Sequence, residues 1–281
     1  MQREILTLSL TTLVVGLLTL GSSANAMHHE GDGLAKAVSA ELRDGDKPRD
    51  QFRHPAETLK FFGIKPTMTV GEYGPGGGWY TRILAPWISK SGTYVAINAD
   101  VEKYHAGAPA ERNAERKLFP ETFPGKVAEW TGVDASSIAA VEIDEAPDWE
   151  GKLDAFLIFR SLHGLSRKNL ADETAKHAYT LLKAGGIVGV VQHRAKEDAP
   201  WDYTRGHNGY LKQSEVIALF ESAGFELMLE SEINANPNDT ADWDGGVWSL
   251  PPTLRHGDED RDTYEAVGES DRMTLVFRKP A

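Results

Sequence analysis

A doubly wound α/β domain with a mostly parallel sheet is the fold this sequence predicts, and three observations predict it. From about residue 55 onward, short apolar runs of strand type alternate with segments of helical periodicity. The runs 153–159 and 187–191 are almost continuously apolar, the pattern of strands buried on both faces. A glycine-rich turn at 74–78 joins a strand to the helix that follows it.

Composition agrees with one large folded domain. The 281 residues carry 30 Lys+Arg against 42 Asp+Glu, a net charge of −12, with 41% hydrophobic and 26% charged residues. That apolar share covers the ordering entropy, so disorder is excluded for most of the chain. The acidity argues against nucleic acid and against anionic membrane surfaces as partners, leaving a small molecule as the expected one. With no cysteine, disulfides, thiolate nucleophiles and cysteine-based metal sites are excluded.

The first residues read as a secretory signal. Arg3 precedes an apolar run from Ile5 to Leu20, too short for a comfortable membrane span. Ala24-Asn25-Ala26 then supplies a small-residue cleavage signature. The expectation is a signal peptide over 1–26 and a periplasmic or secreted product with no stable membrane anchor after cleavage. Residues 27–50 are polar and rich in Gly and Asp, read as a flexible segment with a short helical patch at 34–38. Residues 51–281 form the domain.

Within it, a helix over 55–62 is stopped by Gly63. A strand at 68–73 leads into the glycine turn, and a helix at 79–88 follows, shortened or kinked by Pro86. A second strand lies at 94–97, and 101–124 is charged and partly helical. The third strand is either 126–130 or 138–143. After the strand at 153–159, a helix is expected over 166–183, capped by Ser166 and ended by Gly185-Gly186. The strand at 187–191, a helix at 213–223 ended by Gly224, and strands at 225–230 and 273–278 complete the domain. Between the last two strands lies a long acidic insertion, about 234–271, holding Trp243, Trp248 and Pro251-Pro252.

The glycine turn is the sharpest chemical signal. Glycines at a strand–helix junction let a ligand approach the backbone, where the helix N-terminus offers free N–H groups. Glu72, at the strand's end, can take a cationic or hydroxylated group. Gly74 and Gly76 fit a dinucleotide fingerprint, but Trp79 stands where its third glycine belongs.

Val70-Gly71-Glu72-Tyr73-Gly74-Pro75-Gly76-Gly77-Gly78 resembles the first motif of the class I S-adenosylmethionine-dependent methyltransferases. The resemblance extends through Leu153-Asp154-Ala155-Phe156-Leu157, Leu182-Lys183-Ala184-Gly185-Gly186-Ile187, Ser222-Ala223-Gly224-Phe225 and Asp271-Arg272-Met273-Thr274-Leu275-Val276-Phe277. It spans about residues 55–280 and looks closest to a group of exported bacterial proteins taken as methyltransferases. It implies a seven-stranded, Rossmann-like methyltransferase fold with an antiparallel last strand, S-adenosylmethionine as cofactor, and cofactor contacts from Glu72, Gly74, Gly76 and Gly78. The family places an acid after strand two to grip the ribose. Here Asn98 stands nearest that position, with Asp100 two residues on, and Asp144 lies near the adenine if 138–143 is strand three.

Chemistry in open α/β sheets gathers at the carboxyl ends of the strands. Arg160 and His163 follow strand four, and His193 and Arg194 follow strand five, so both pairs should open into one crevice. Histidine suits proton transfer near neutral pH. His163, His193 and Arg160 are therefore the candidate catalytic residues, with His207 able to join from the next loop. No H-x-x-x-H or H-x-H spacing marks a metal site, and none is expected. Two other readings use the same crevice: a non-catalytic ligand-binding module, and a histidine-based hydrolase. The tryptophans of the insertion either staple it to the surface or place Trp248-Ser249-Leu250-Pro251-Pro252 beside His163 and His193 as a wall of the acceptor pocket.

Overall fold

The computed structural model describes residues 33–281, so the signal-peptide reading of 1–26 lies outside the described residues. Its strands are β1 Thr69–Tyr73, β2 Thr93–Asn98, β3 Ile138–Glu142, β4 Leu153–Phe159, β5 Leu182–Ala195, β6 Leu211–Lys212, β7 Glu226–Ser231 and β8 Arg272–Arg278. The sheet runs β3-β2-β1-β4-β5-β8-β7, with the two-residue β6 pairing to the end of β5. β1 to β5 pair in parallel, and β8 is antiparallel to both β5 and β7.

The doubly wound form follows from the side-chain alternation. Phe156 and Ile158 of β4 enter one core with Ala175, Ala178 and Leu181 of the helix Ala171–Leu181 and with Phe220 of the helix Gln213–Ser222. Ala155, Leu157 and Phe159 enter the other core with Ile83, Leu84 and Ile88 of the helix Thr81–Ile88 and with Val127 of the helix Phe119–Thr131. Each fully buried side chain of this size contributes roughly 1.5–3 kcal/mol.

Several expectations need correction. The third strand is Ile138–Glu142, while 126–130 lies in the helix Phe119–Thr131, where Phe123 and Val127 share one buried face and Gly132 at φ 69° ends the helix. The single helix expected over 166–183 is two, Leu162–Arg167 and Ala171–Leu181, separated by Asn169 at φ 56°. β5 runs on through His193 and Arg194 instead of stopping at Val191, because β8 continues to pair with it as far as His193↔Arg272.

From residue 33 onward the segment expected to be flexible is folded. Leu34 and Ala37 are buried in the core behind Trp87. Arg43 is fully buried and forks onto Asp50 at 2.7 and 3.1 Å. Arg43 and Arg53 lie 5.0 and 4.7 Å from the ring centre of Trp79, so two guanidiniums clamp one indole and fasten the segment to the domain.

The 234–271 insertion contains a turn of 3-10 helix, Gly246–Ser249, and a helix, Arg261–Val267. Most of its acidic side chains lie at the surface, as at Asp258, Glu259 and Asp262. Asp239 is instead buried, accepting bonds from Tyr210 Oη, Trp243 Nε1 and the N–H groups of Ala241 and Asp271. Polar groups of a long segment must be satisfied where it packs, and Asp239 does this for the base of the insertion.

Candidate functional site

Because β1 to β4 are parallel and in register, their carboxyl ends meet at one edge, with Tyr73 beside Ile97 and Ile158, and Asn98 beside Glu142. The glycine turn leaves that edge. Gly74, Gly76 and Gly78 all have left-handed φ, 61°, 54° and 78°, which explains glycine at each. Their surroundings differ. A Cβ on Gly78 would lie 2.4 Å from the Trp130 ring, and one on Gly74 would lie 3.0 Å from Ser161 Oγ. One on Gly76 meets nothing nearer than 3.9 Å, and one on Gly77 meets nothing within 4 Å. Gly78 therefore has a packing reason, while Gly76 and Gly77 carry the open backbone. Gly77 was not singled out from the sequence.

Glu72 is buried behind the turn. Its Oε2 accepts from Tyr94 Oη at 2.6 Å and Thr81 Oγ1 at 2.8 Å. Burial pushes its pKa up to about 7, against the lowering effect of those two bonds. Its role is to tie β1, β2 and the following helix together at least as much as to meet a ligand. Asn98 ends β2, with its carbonyl taken by Ile143 N–H at 3.0 Å and its amide unbonded among the described residues. Asp100 caps the helix Val101–Tyr104 through Lys103 N–H at 3.0 Å and pairs with the Lys103 ammonium, so it is internally engaged. Asp144 is exposed just after β3. Glu142, which sequence reasoning missed, is buried at the end of β3 and accepts from Val101 N–H at 3.2 Å.

The second half of the edge holds the histidines. His163 and His193 lie with ring centres 5.6 Å apart, and Trp248 meets His163 edge-on at 5.8 Å. The insertion thus reaches the crevice, as the wall reading required. Burial pulls the His163 pKa down to about 4, helped by Arg167 and Arg160 and opposed by the nearby Gln192 amide. Burial, with Arg272 and His163 adding repulsion, holds His193 well below the usual histidine range. Both imidazoles are neutral at pH 7. His193 Nδ1 contacts Ser270 Oγ at 2.5 Å. Gln192 donates to Gly209 O at 2.8 Å, which leaves its Oε1 and His163 Nδ1 buried without protein partners among the described residues. Buried orphan atoms of this kind ask for a ligand or water.

His207 is exposed and does not join the pair. Arg194 is bound to Asp271 at 2.8 Å and Glu232 at 2.6 Å, a structural clamp across the sheet end. Asp154 accepts from Thr69 N–H and from Lys183, a structural role at the start of β4. Among the described residues no group of three or more metal-ligating side chains converges.

Arg160, at φ 54°, turns out of β4 into a cavity of about 180 Å³ lined also by Arg49, Arg53, Arg272, Glu269, His193 and Trp248. Glu269 is almost fully buried and pairs with Arg49 at 2.6 Å, with Arg53 at 2.9 Å and with Arg272. Nothing in residue spacing announces this cluster, since it joins residues 49–53 to residues 269–272.

These shifts set an acid response. A histidine whose folded pKa lies below its unfolded value leaves the unfolded chain to bind protons first, so stability falls as pH drops from about 6.5 towards 4. Glu72, raised to about 7, works in the opposite sense: its stabilising protonation is present at low pH and lost as pH rises through 7. Glu72→Gln keeps an acceptor for Tyr94 and Thr81 but removes that proton. Denaturant titrations from pH 6.5 to 4.5 should show the variant losing stability more steeply than wild type, by up to about 1.4 kcal/mol per pH unit. An equal or shallower slope counts against the assignment.

Among solved structures, a provisionally assigned methyltransferase from Bacillus halodurans aligns over 82% of this chain and 100% of its own at 17% identity and a TM-score of 0.51. The YcgJ protein from Bacillus subtilis aligns over 82% and 99% at 16% identity and a TM-score of 0.50. The cyclase SpnF aligns over 92% and 95% at 14% identity and a TM-score of 0.50. No family model and no curated protein matches the chain. At such identities the likeness is one of fold. The chain has the Rossmann-like methyltransferase fold, a mostly parallel sheet whose seven-stranded path carries the antiparallel C-terminal strand β8 between β5 and β7.

Proposed function

We propose that the chain transfers a methyl group from S-adenosylmethionine to a small-molecule acceptor held between the carboxyl ends of β4 and β5. The observation that carries this reading is the open backbone of Gly76 and Gly77 at the end of β1, level with the unbonded Asn98 amide at the end of β2. These residues fit the cofactor: glycine N–H groups for its amino-acid end, the Asn98 amide for its ribose, exposed Asp144 for its base. Asp100 and Glu72 fit less well, being engaged internally.

When bound, the cofactor supplies an electrophilic methyl group on a sulfonium. This chain's residues then orient the acceptor and manage its proton. His163 is neutral and buried, and its unpaired Nδ1 can receive the proton that an O–H or N–H acceptor releases. Trp248 covers His163 and selects the acceptor's shape.

The fold alone does not decide this, since one structural neighbour is named as a cyclase. A non-catalytic binding module is favoured by Asn98 standing where an acid grips the ribose. The hydrolytic reading finds Ser270 on His193, but no carboxylate holds the other nitrogen of that ring among the described residues. Isothermal titration with S-adenosylmethionine and S-adenosylhomocysteine separates these readings. Binding of both is expected, and no heat at a protein concentration of about 100 μM would exclude methyl transfer. Export is part of the proposal, resting on Arg3, the apolar run and Ala24-Asn25-Ala26. Mass spectrometry of the periplasmic or secreted fraction should find a mature start at Met27, and an intact soluble cytoplasmic chain would contradict it.

A further inference from the structure

The cavity below Trp248 holds more positive charge than its walls balance. Arg49, Arg53, Arg160 and Arg272 face it, against the single carboxylate of Glu269. Arg49, Arg53 and Arg272 converge on Glu269, and Arg272 also donates to Phe52 O at 2.9 Å. Arg160 takes no part in this. Among the described residues no acceptor meets its guanidinium, although the residue is part-buried. Burial and the charge of Arg272 draw its pKa down to about 10, so it stays charged at neutral pH.

This excess is not the fringe of a basic surface, because the whole chain carries −12. Glu269 and Arg272 are 2% exposed and Arg53 is 5% exposed, so water screens the cluster poorly. Unbalanced charge at such depth is costly and attracts a counter-charge. The neutral groups of the wall also suit an anion: Ser270 offers a hydroxyl beside His193, and Pro251 and Trp248 line the same wall without adding a competing negative charge. Guanidinium forks recognise carboxylate and phosphate oxygens pairwise.

We infer that this cavity binds the anionic group, a carboxylate or a phosphate, of a small molecule, and that the acceptor of the methyl group docks through it. The second half rests on the methyl-transfer reading; the anion site itself does not. Docked on Arg160, the molecule would extend from His193 towards the unpaired Nδ1 of His163, the atom assigned to its proton.

The test uses the full chain with inorganic phosphate, succinate and matched sodium chloride, read by calorimetry and by denaturant unfolding. At about 100 times its dissociation constant, the bound anion should lower the unfolding constant about 100-fold. Response to phosphate alone, or to succinate alone, names which oxyanion the site takes. Arg160→Gln controls for the general stabilising effect of phosphate. It should weaken anion binding about 10- to 100-fold while leaving the anion-free protein as stable or more so, because a repulsion with Arg272 is gone. A merely structural arginine would show the reverse.

No response to either anion, or an equal response in the variant, overturns the anion site. Loss of the response in saturating S-adenosylhomocysteine assigns the arginines to the cofactor's own carboxylate and overturns the acceptor assignment. If phosphate binds but S-adenosylhomocysteine does not, the methyl-transfer reading fails and the anion site stands.

Discussion

Glu269→Gln should destabilise the protein by about 3–5 kcal/mol, the effect of removing one partner from a buried ion cluster. The carboxylate is the common acceptor for Arg49, Arg53 and Arg272, and two of those guanidiniums are almost fully buried. Glutamine keeps the shape and one acceptor oxygen, but leaves Arg160 and the other three arginines without a counter-charge. For a chain of this size each kcal/mol shifts the melting temperature by about 2–4 °C, so a fall of roughly 10 °C or more is expected. Phosphate should return part of the loss if the cavity takes an anion. A change below about 1 kcal/mol would mean that solvent already screens the cluster.

The second large effect concerns the glycine turn. Gly76→Val is an ambiguous probe, because a branched residue at φ 54° strains the backbone whatever the ligand does. Gly77 has no left-handed φ, and nothing lies within 4 Å of a Cβ placed there. Gly77→Val should leave the melting curve in place and weaken S-adenosylhomocysteine about 10- to 100-fold, as the side chain fills the approach to the backbone. Equal affinity in this folded variant would show that the turn is only a turn.

The sheet was largely legible in the sequence. Continuous apolar runs marked β4 and the centre of β5, and the glycine turn placed the end of β1, because burial on two faces and a left-handed turn restrict residue type directly. The third strand was ambiguous because Val127 and Phe123 sit four apart, a helical spacing, inside a stretch that also reads as strand-like. The extension of β5 through His193 depends on pairing with β8 some 80 residues later, which local pattern does not carry.

For the site, the sequence brought His163 and His193 together through the rule that strand ends share one edge, and Trp248 through the cost of exposing it. It gave no hint of Glu269, Arg49, Arg53 or Ser270. Charged residues in polar segments read as solvated, and only the folded chain shows that these are not. Of the segment 27–50 read as flexible, the described part from residue 33 is folded for the same reason: Arg43 is anchored by Trp79, a residue that composition cannot connect to it.

Arg49 and Glu269 are 220 residues apart, and Arg53 and Glu269 are 216 apart. A polypeptide leaves the ribosome or a translocation pore from one end, so the arginines emerge first and their counter-ion arrives almost last. Until then Arg49 and Arg53 lack that carboxylate, in a segment held to the domain through Trp79, the core around Trp87 and the Asp46–Arg82 pair. Bringing such distant ends together has an entropic cost of roughly 5 kcal/mol, met only when β8 joins the sheet and carries Glu269 and Arg272 into place. A product cut short before β8 can build much of the parallel sheet yet has only half of the cavity wall. The anion site thus comes into being with the final residues of synthesis, and a ligand held there distinguishes finished molecules from unfinished ones.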